Sequence, residues 1–348
     1  MPGSIAITLK TVTPIWTGGI GGITDRVHET GILGSLRWWY EAIIRGLGGD
    51  ACDPTLHPCI LSVEKFKNSA GVSLEERLHA AGLCDACQVF GTTGWKRRFR
   101  LMIVDKTEDA PYKNRPSVSG ERFKRNGTVH PLWYFKDGGR SGDLEVQITS
   151  LSTDFDPRLL LGPLQLIVKY GGLAARNQLG FGWVNSMPAI VLDPTWFRGT
   201  IHVKPGRPQP SFPALTNMFF TEITTDDAGI LATLNAKYDV RQVFRTAFDN
   251  RELRHFICGS IKGNAGRQAA KVFFSQAVEG RMKAWGWIPT EMNFPGVTRE
   301  DVVSAIYTEL GRYGARNYWR EFSSPRDTVS ANQVDSGAFL ASLLQEAV

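Results

Sequence analysis

The chain has 348 residues, with 40 Lys and Arg against 34 Asp and Glu, a formal net charge of +6 and a pI near 9.1. Apolar residues make up 42% and charged residues 21%, which excludes disorder as the main state and suits roughly two domains. No apolar run approaches the ~18 residues of a membrane span, and the opening Met-Pro-Gly-Ser has no mark of a signal peptide. A cytoplasmic chain with no membrane partner is expected. The charge excess divides evenly, +3 on residues 1–195 and +3 on 196–348, so a nucleic-acid site has to come from local clustering.

In chain order, Ile5, Ile7 and Leu9 alternate with Ala6, Thr8 and Lys10, which predicts a strand. A Gly-rich loop follows at 16–23. Leu36, Trp39, Tyr40, Ile43 and Ile44 recur at helical spacing and predict a helix over 33–45, stopped by Gly46, Gly48 and Gly49. A short helix is expected at 74–81, and strands at 99–104 and 144–151. Between those strands, residues 106–142 show no periodicity and hold eight basic and four acidic residues. Asp156 and Pro157 open a helix that runs to Tyr170. A second Gly-rich loop at 171–182 leads into a strand near 183–191. This order is the β-α-β-β-α-β unit of ferredoxin-like folds.

Pro205, Pro208, Pro210 and Pro213 mark a boundary that separates a unit at 1–198 from a second α+β unit at 199–348. The second unit is expected to have a strand near 219–224 and helices near 235–248 and 251–258. A hairpin across 271–288, a helix near 299–312 and a helical tail at 337–347 complete it.

Several groups of residues suggest chemistry. Gly171, Gly172, Gly180 and Gly182 let the backbone approach a ligand and offer N–H groups to phosphates, with Arg176 as a further contact; the same glycines suit a helix C-cap and a tight turn. The loop follows a helix and precedes a strand, the reverse of a dinucleotide fingerprint, and no Gly-Lys-Ser/Thr makes it a P-loop. Arg37, Trp38, Trp39 and Tyr40 put a guanidinium beside three rings. Such rings either stack on splayed bases, at about 1–3 kcal/mol each, or belong to the core. Lys96, Arg98 and Arg100 alternate onto one face of a strand, as phosphate contacts or as a solvated edge. Arg115, Arg122, Lys124 and Arg125 extend that track.

Cys84 and Cys87 have the spacing of a zinc knuckle. With Cys52 and Cys59 upstream, four thiolates can close a structural zinc site, with His57 and His79 as substitutes; the other reading is a set of reduced core cysteines. No other cofactor is required. His28, beside Glu29, is the one candidate for acid–base work. No hydrolase or metalloprotease motif is present, and an enzyme is not expected.

The ordered set Thr13-Pro-Ile-Trp-Thr-Gly-Gly19, Gly34-Ser-Leu-Arg37-Trp-Trp-Tyr40, Cys84-Asp-Ala-Cys-Gln-Val-Phe-Gly91-Thr-Thr-Gly-Trp95 and Leu179-Gly-Phe-Gly182 resembles the RAMP superfamily of CRISPR proteins. Within it, the set is most similar to the first subunits of type III-B Cmr RNA-targeting effector complexes. The resemblance spans residues 13–182, with weaker support from Trp285-Gly-Trp-Ile-Pro289.

The resemblance implies two tandem ferredoxin-like, RRM-like domains packed together. It also implies a non-catalytic RNA-binding subunit in antiviral defence, placed near the 3′ end of a single-stranded guide RNA. Guide RNA, target RNA and other Cmr subunits would be its partners. Trp39 and Tyr40 would match the RNA-contacting helix, and the loop at 171–182 would lie against RNA. Related proteins process guide precursors with histidine chemistry, for which His28 is the only analogue. A metal-independent endoribonuclease and a zinc-stapled scaffold are therefore the alternatives.

Overall fold

A computed structural model of the chain describes residues 3–69, 71–111, 124–125, 128–129, 138–201, 203–206, 209–260 and 266–345. The strands are β1 (Ser4–Thr11), β2 (Phe99–Asp109), β3 (Lys124–Arg125), β4 (Thr128–Val129), β5 (Arg140–Ser150), β6 (Val184–Met187), β7 (Met218–Thr224), β8 (Val272–Phe274), β9 (Arg281–Trp287) and β10 (Arg316–Glu321). The helices are α1 (Glu29–Gly46), α2 (Val63–Asn68), α3 (Leu74–Ala80), α4 (Asp85–Phe90), α5 (Leu161–Tyr170), α6 (Pro194–Thr200), α7 (Gly229–Thr246), α8 (Arg251–Cys258), α9 (Arg299–Leu310) and α10 (Ser336–Gln345). No helix among the described residues is long and apolar enough to cross a membrane.

Two four-stranded sheets carry the fold, with orders β2-β5-β1-β6 and β10-β7-β9-β8. Every neighbouring pair is antiparallel. In the first sheet, alternation sends Ile7, Leu9, Phe99, Leu101, Leu144, Val146 and Ile148 to one buried face. The opposite face is open: Met102 and Val104 are 45% and 39% exposed there. Helices α1 and α5 belong to the same core cluster as the buried face.

The second sheet is buried on both faces. Phe219, Ile223, Met282, Ala284 and Trp319 share a core with residues of α7, α8 and α9. Met218, Phe220 and Trp285 point the other way, into the core that contains α1 and α5. The layers therefore run sheet, helices, sheet, helices. This two-sided burial explains why β7 is buried at six successive positions, Thr221 and Glu222 included, instead of alternating between a wet and a dry face. Finally, α10 returns to the first half and packs on α5 and α6.

The expected elements differ from the observed ones in informative places. The helix predicted at 33–45 starts at Glu29, four residues earlier. The helix predicted from 156 begins as a single 3-10 turn, Pro157–Leu160, before α5. Helices α2, α4 and α6 and strand β10 were not anticipated by periodicity. Of the irregular stretch 106–142, its first residues complete β2 and its last residues begin β5. Arg115 and Arg122 lie outside the described residues, and of Lys124 and Arg125 only the backbone, as β3, is described.

Candidate nucleic-acid interface

The two glycine loops meet at the N-terminus of α1. Ala175 N donates to Trp16 O at 3.0 Å, Gly182 N to Pro14 O at 2.9 Å, and Ala174 N to Ser35 Oγ at 2.8 Å. Thr17 Oγ1 accepts from His28 N at 3.1 Å and donates to Arg26 O at 2.9 Å, folding the first loop back onto the helix start. His28 is the N-cap residue, and its side chain does not cap the helix. Helix N–H groups and the positive end of the macrodipole therefore face this junction.

Two half-buried side chains stand out. The Arg176 guanidinium lies over the Trp16 ring, 3.6 Å from its centroid. Arg176 holds a left-handed backbone, φ 63°, as does Ala174 at φ 65°. Non-glycine residues pay for this conformation, which is over-represented where a side chain has a job. Beside them, His28 Nε2 and Asp25 Oδ1 are 2.7 Å apart. That hydrogen bond holds the Asp25 carboxyl below its ordinary range. Arg140 Nη1 donates to Asp25 O at 3.1 Å and ties the turn to β5. Sequence reasoning missed Trp16 as a site residue; a lone ring has no periodicity, and its glycine neighbours were the available signal.

The structure corrects several expectations. Trp39 and Tyr40 are 1% and 2% exposed and belong to the core, so they cannot stack on bases. Trp39 stacks on Phe220 with centroids 6.0 Å apart, and Tyr40 packs on Phe90 at 5.5 Å. Gly171, Gly172, Gly180 and Gly182 are also buried. The N–H groups of Gly171, Gly180 and Gly182 bond to chain carbonyls and are not offered to a phosphate. These glycines permit close packing instead: a Cβ at Gly171 would collide with Trp39, and one at Gly180 with Gln276 and Thr233.

Arg98 is 7% exposed, and its guanidinium is paired with Asp154 at 2.7 Å and Glu75 at 3.3 Å. Lys96 precedes β2 instead of lying in it, so the row of Lys96, Arg98 and Arg100 on one face does not form. Lys96 and Arg100 themselves are exposed. Arg37 Nε bonds Glu41 Oε1 at 2.8 Å and turns toward Cys87, not outward. The open sheet face bears no aromatic residue, so base stacking on the sheet, the usual mode of RRM modules, is not built here.

The four cysteines do converge. All four Sγ atoms of Cys52, Cys59, Cys84 and Cys87 lie within 4.8 Å of one another, and Cys52 and Cys87 are 3.5 Å apart. Tetrahedral zinc with Zn–S bonds of about 2.3 Å separates its sulfurs by about 3.8 Å, so the donor set fits that ion. Backbone N–H groups of Cys52 and Cys87 each donate to Cys84 Sγ at 3.4 Å, and Arg37 Nη2 donates to Cys87 Sγ at 3.2 Å. Such donors compensate thiolate charge. Hydrogen bonds among the sulfurs split their acidities, holding Cys52 and Cys84 low while Cys59 and Cys87 are pushed up. His79 is not part of the sulfur group, and its Nε2 lies 2.7 Å from Asp85 Oδ1 instead. His57 is likewise not part of the sulfur group.

Fold and site together define an α+β chain with two four-stranded antiparallel sheets and paired glycine loops at the head of a long helix. The family model of the RAMP superfamily matches residues 8–185, just over half of the chain, and the chain belongs to that superfamily. Among solved structures it is similar to Cmr1 from Pyrococcus furiosus in its apo form, at 13% identity and a TM-score of 0.47, covering 88% of this chain and 96% of that one. It is also similar to a chain of type III-B Cmr-beta bound to cognate target RNA and AMPPnP in the presence of ssDNA, at 12% identity and a TM-score of 0.47, covering 88% and 98%. A chain of Cmr-beta bound to cognate target RNA matches at 12% identity and a TM-score of 0.40, covering 86% and 99%. A search of curated proteins returns no match.

Proposed function

We propose that this chain is a non-catalytic, RNA-binding RAMP subunit of a type III-B Cmr effector, working in the cytoplasm on guide RNA and its target beside other Cmr subunits. On this reading residues 1–198 and 199–348 are two ferredoxin-like units, since each sheet has the strand order of a β-α-β-β-α-β run. One observation carries the RNA assignment: the Arg176–Trp16 stack, displayed where both glycine loops meet the uncapped start of α1. A guanidinium on an indole offers a phosphate contact and a stacking plane in one place. The cysteine cluster is a structural zinc site that fixes the segment before β2, and no cofactor takes part in RNA binding.

The test is titration of the purified chain with labelled single-stranded RNA, with products run on a gel. Arg176→Ala and Trp16→Ala are each expected to weaken binding about tenfold or more, the equivalent of one lost stacking or phosphate contact, with the melting temperature unchanged. Wild-type affinity in both variants would refute the site.

A second reading draws on the His28–Asp25 pair, since a carboxylate-oriented imidazole is a competent base for a 2′-hydroxyl. RNA cleavage that disappears in His28→Ala would favour it; intact RNA on the gel rejects it.

A further inference from the structure

The second half carries a cationic stripe that no sequence motif singles out. Lys237, Arg241 and Arg245 occupy successive i, i+4 positions of α7 and share one face over about 12 Å of helix. On α8, Arg251 and Arg254 are one turn apart, with His255 next. The two helices pack together, and the charges of Arg241, Arg245 and Arg251 all bear on Arg254. The charges of Arg241, Arg254 and Arg251 also bear on His255, opposed by the carboxylate of Glu252.

The four arginines of the stripe are poorly neutralised by the described residues. Arg241 Nη1 donates to Gly259 O at 3.1 Å and Arg245 Nη1 to Gln242 Oε1 at 2.9 Å. Among the described residues, no carboxylate lies within ion-pair distance of Arg241, Arg245, Arg251 or Arg254. Arg254 Nε is buried with no hydrogen-bond partner. Elsewhere in the chain, Arg98, Arg140, Arg320 and Arg326 all hold carboxylates. Arg251 also sits in the first turn of α8, where the macrodipole disfavours a cation. Like charges gathered against both rules cost stability, and no described carboxylate pairs with these arginines to offset it.

The stripe begins at the RNA site already described, since Lys237 Nζ donates to Gln178 O of the second glycine loop at 3.2 Å. We propose that α7 and α8 bind the phosphodiester backbone of the same RNA as it leaves the Trp16–Arg176 site and crosses the second half. This rests on the RNA-binding reading above. Continuity with the loop favours a nucleic acid over an acidic protein, and guanidiniums repeating along a helix suit a repeating anion that each can grip in bidentate fashion.

The experiment uses the full chain, two RNA lengths and two salts. Arg245 and Arg251 are exposed, so Arg245→Gln with Arg251→Gln leaves the core untouched, and a melting curve matching wild type checks this. With an RNA of about 16 nucleotides, the double variant is expected to bind more weakly than wild type, whereas one of about 4 nucleotides, filling the loop site alone, is unaffected. Between about 50 and 200 mM salt, the slope of log K against log salt should shrink by about 1.4, at about 0.7 per lost phosphate contact. Arg245→Lys with Arg251→Lys should keep the slope. Wild-type affinity and slope in the Gln variant, with Arg176→Ala still weakened, would overturn the stripe and leave the cluster to an acidic protein surface. Failure of the wild type to bind either RNA would overturn both readings.

Discussion

Trp39 shows how a residue that looks like a ligand platform can be the keystone of the core. It lies between Phe220 and Trp285 of the second sheet, edge-on to Trp38, with Gly171 kept bare to admit its ring. Trp39→Ala is expected to cost about 3–5 kcal/mol in urea unfolding, with no change in RNA affinity of the folded fraction. A stable variant that lost RNA would reverse the assignment. On the same strand as Trp285, Lys283 is 3% exposed, lies over the Trp183 ring and donates to Val168 O at 2.8 Å. Burial pushes its pKa down to about 7. Below pH 7, folded and unfolded chains both hold this proton. From about pH 7 up to the ordinary lysine value of 10.5, only the unfolded chain holds it, so stability rises with pH across that window. The stability of wild type relative to Lys283→Met should rise toward high pH by up to about 1.4 kcal/mol per pH unit. A difference that stays constant from pH 7 to 9 would show that Lys283 is charged in the fold.

At the scale of elements, the cysteine cluster joins pieces with little apolar content of their own. Helix α2 buries no residue and α3 buries only Leu78, while Cys84 caps α4. Arg45 Nη2 adds a bond to Cys52 O at 3.0 Å. Native mass spectrometry is expected to find one zinc per chain, and Cys84→Ser to lose it together with several degrees of melting temperature; a metal-free wild type would refute the site.

The elements legible in the sequence are those with one wet and one dry face. β1 alternates and α1 repeats at helical spacing, so both were readable. β10 was not: its Arg320 and Glu321 are fully buried, neutralised by Asp327 and by Arg299 and Arg326, and so mimic surface residues. The exposure of α1 was equally hidden, because a second sheet covers the face that composition left open. Of the candidate site, Arg176 was singled out by residue type, while the glycines beside it were read as a phosphate cradle and serve close packing. The pairing of Arg176 with Trp16, 160 positions earlier, was not readable, because only the fold brings the two loops together.

On the scale of the whole molecule, the two halves cannot be separated cleanly. One core runs from Ile7 through Trp39 and Phe220 to Leu344, and α10 closes it from the far end of the chain. Phe339, Leu340, Leu343 and Leu344 are buried there, and Gln165 Nε2 donates to Leu344 O at 2.8 Å. Arg320 reaches Ser342 Oγ at 2.6 Å and fastens α10 to the second sheet as well. Four such side chains contribute about 1.5–3 kcal/mol each, comparable to the whole stability of an ordinary domain. A chain ending at Asp335 is therefore expected to lack a cooperative thermal transition; normal melting would show that α10 is dispensable. The placement of α10 has a consequence for biosynthesis. At about 5–20 residues per second, the ribosome needs roughly 7–30 s to pass from the end of α6 to α10. Throughout that interval the nascent first half displays the greasy surface of α5 and α6, a natural landing place for a chaperone until the last helix arrives to displace it.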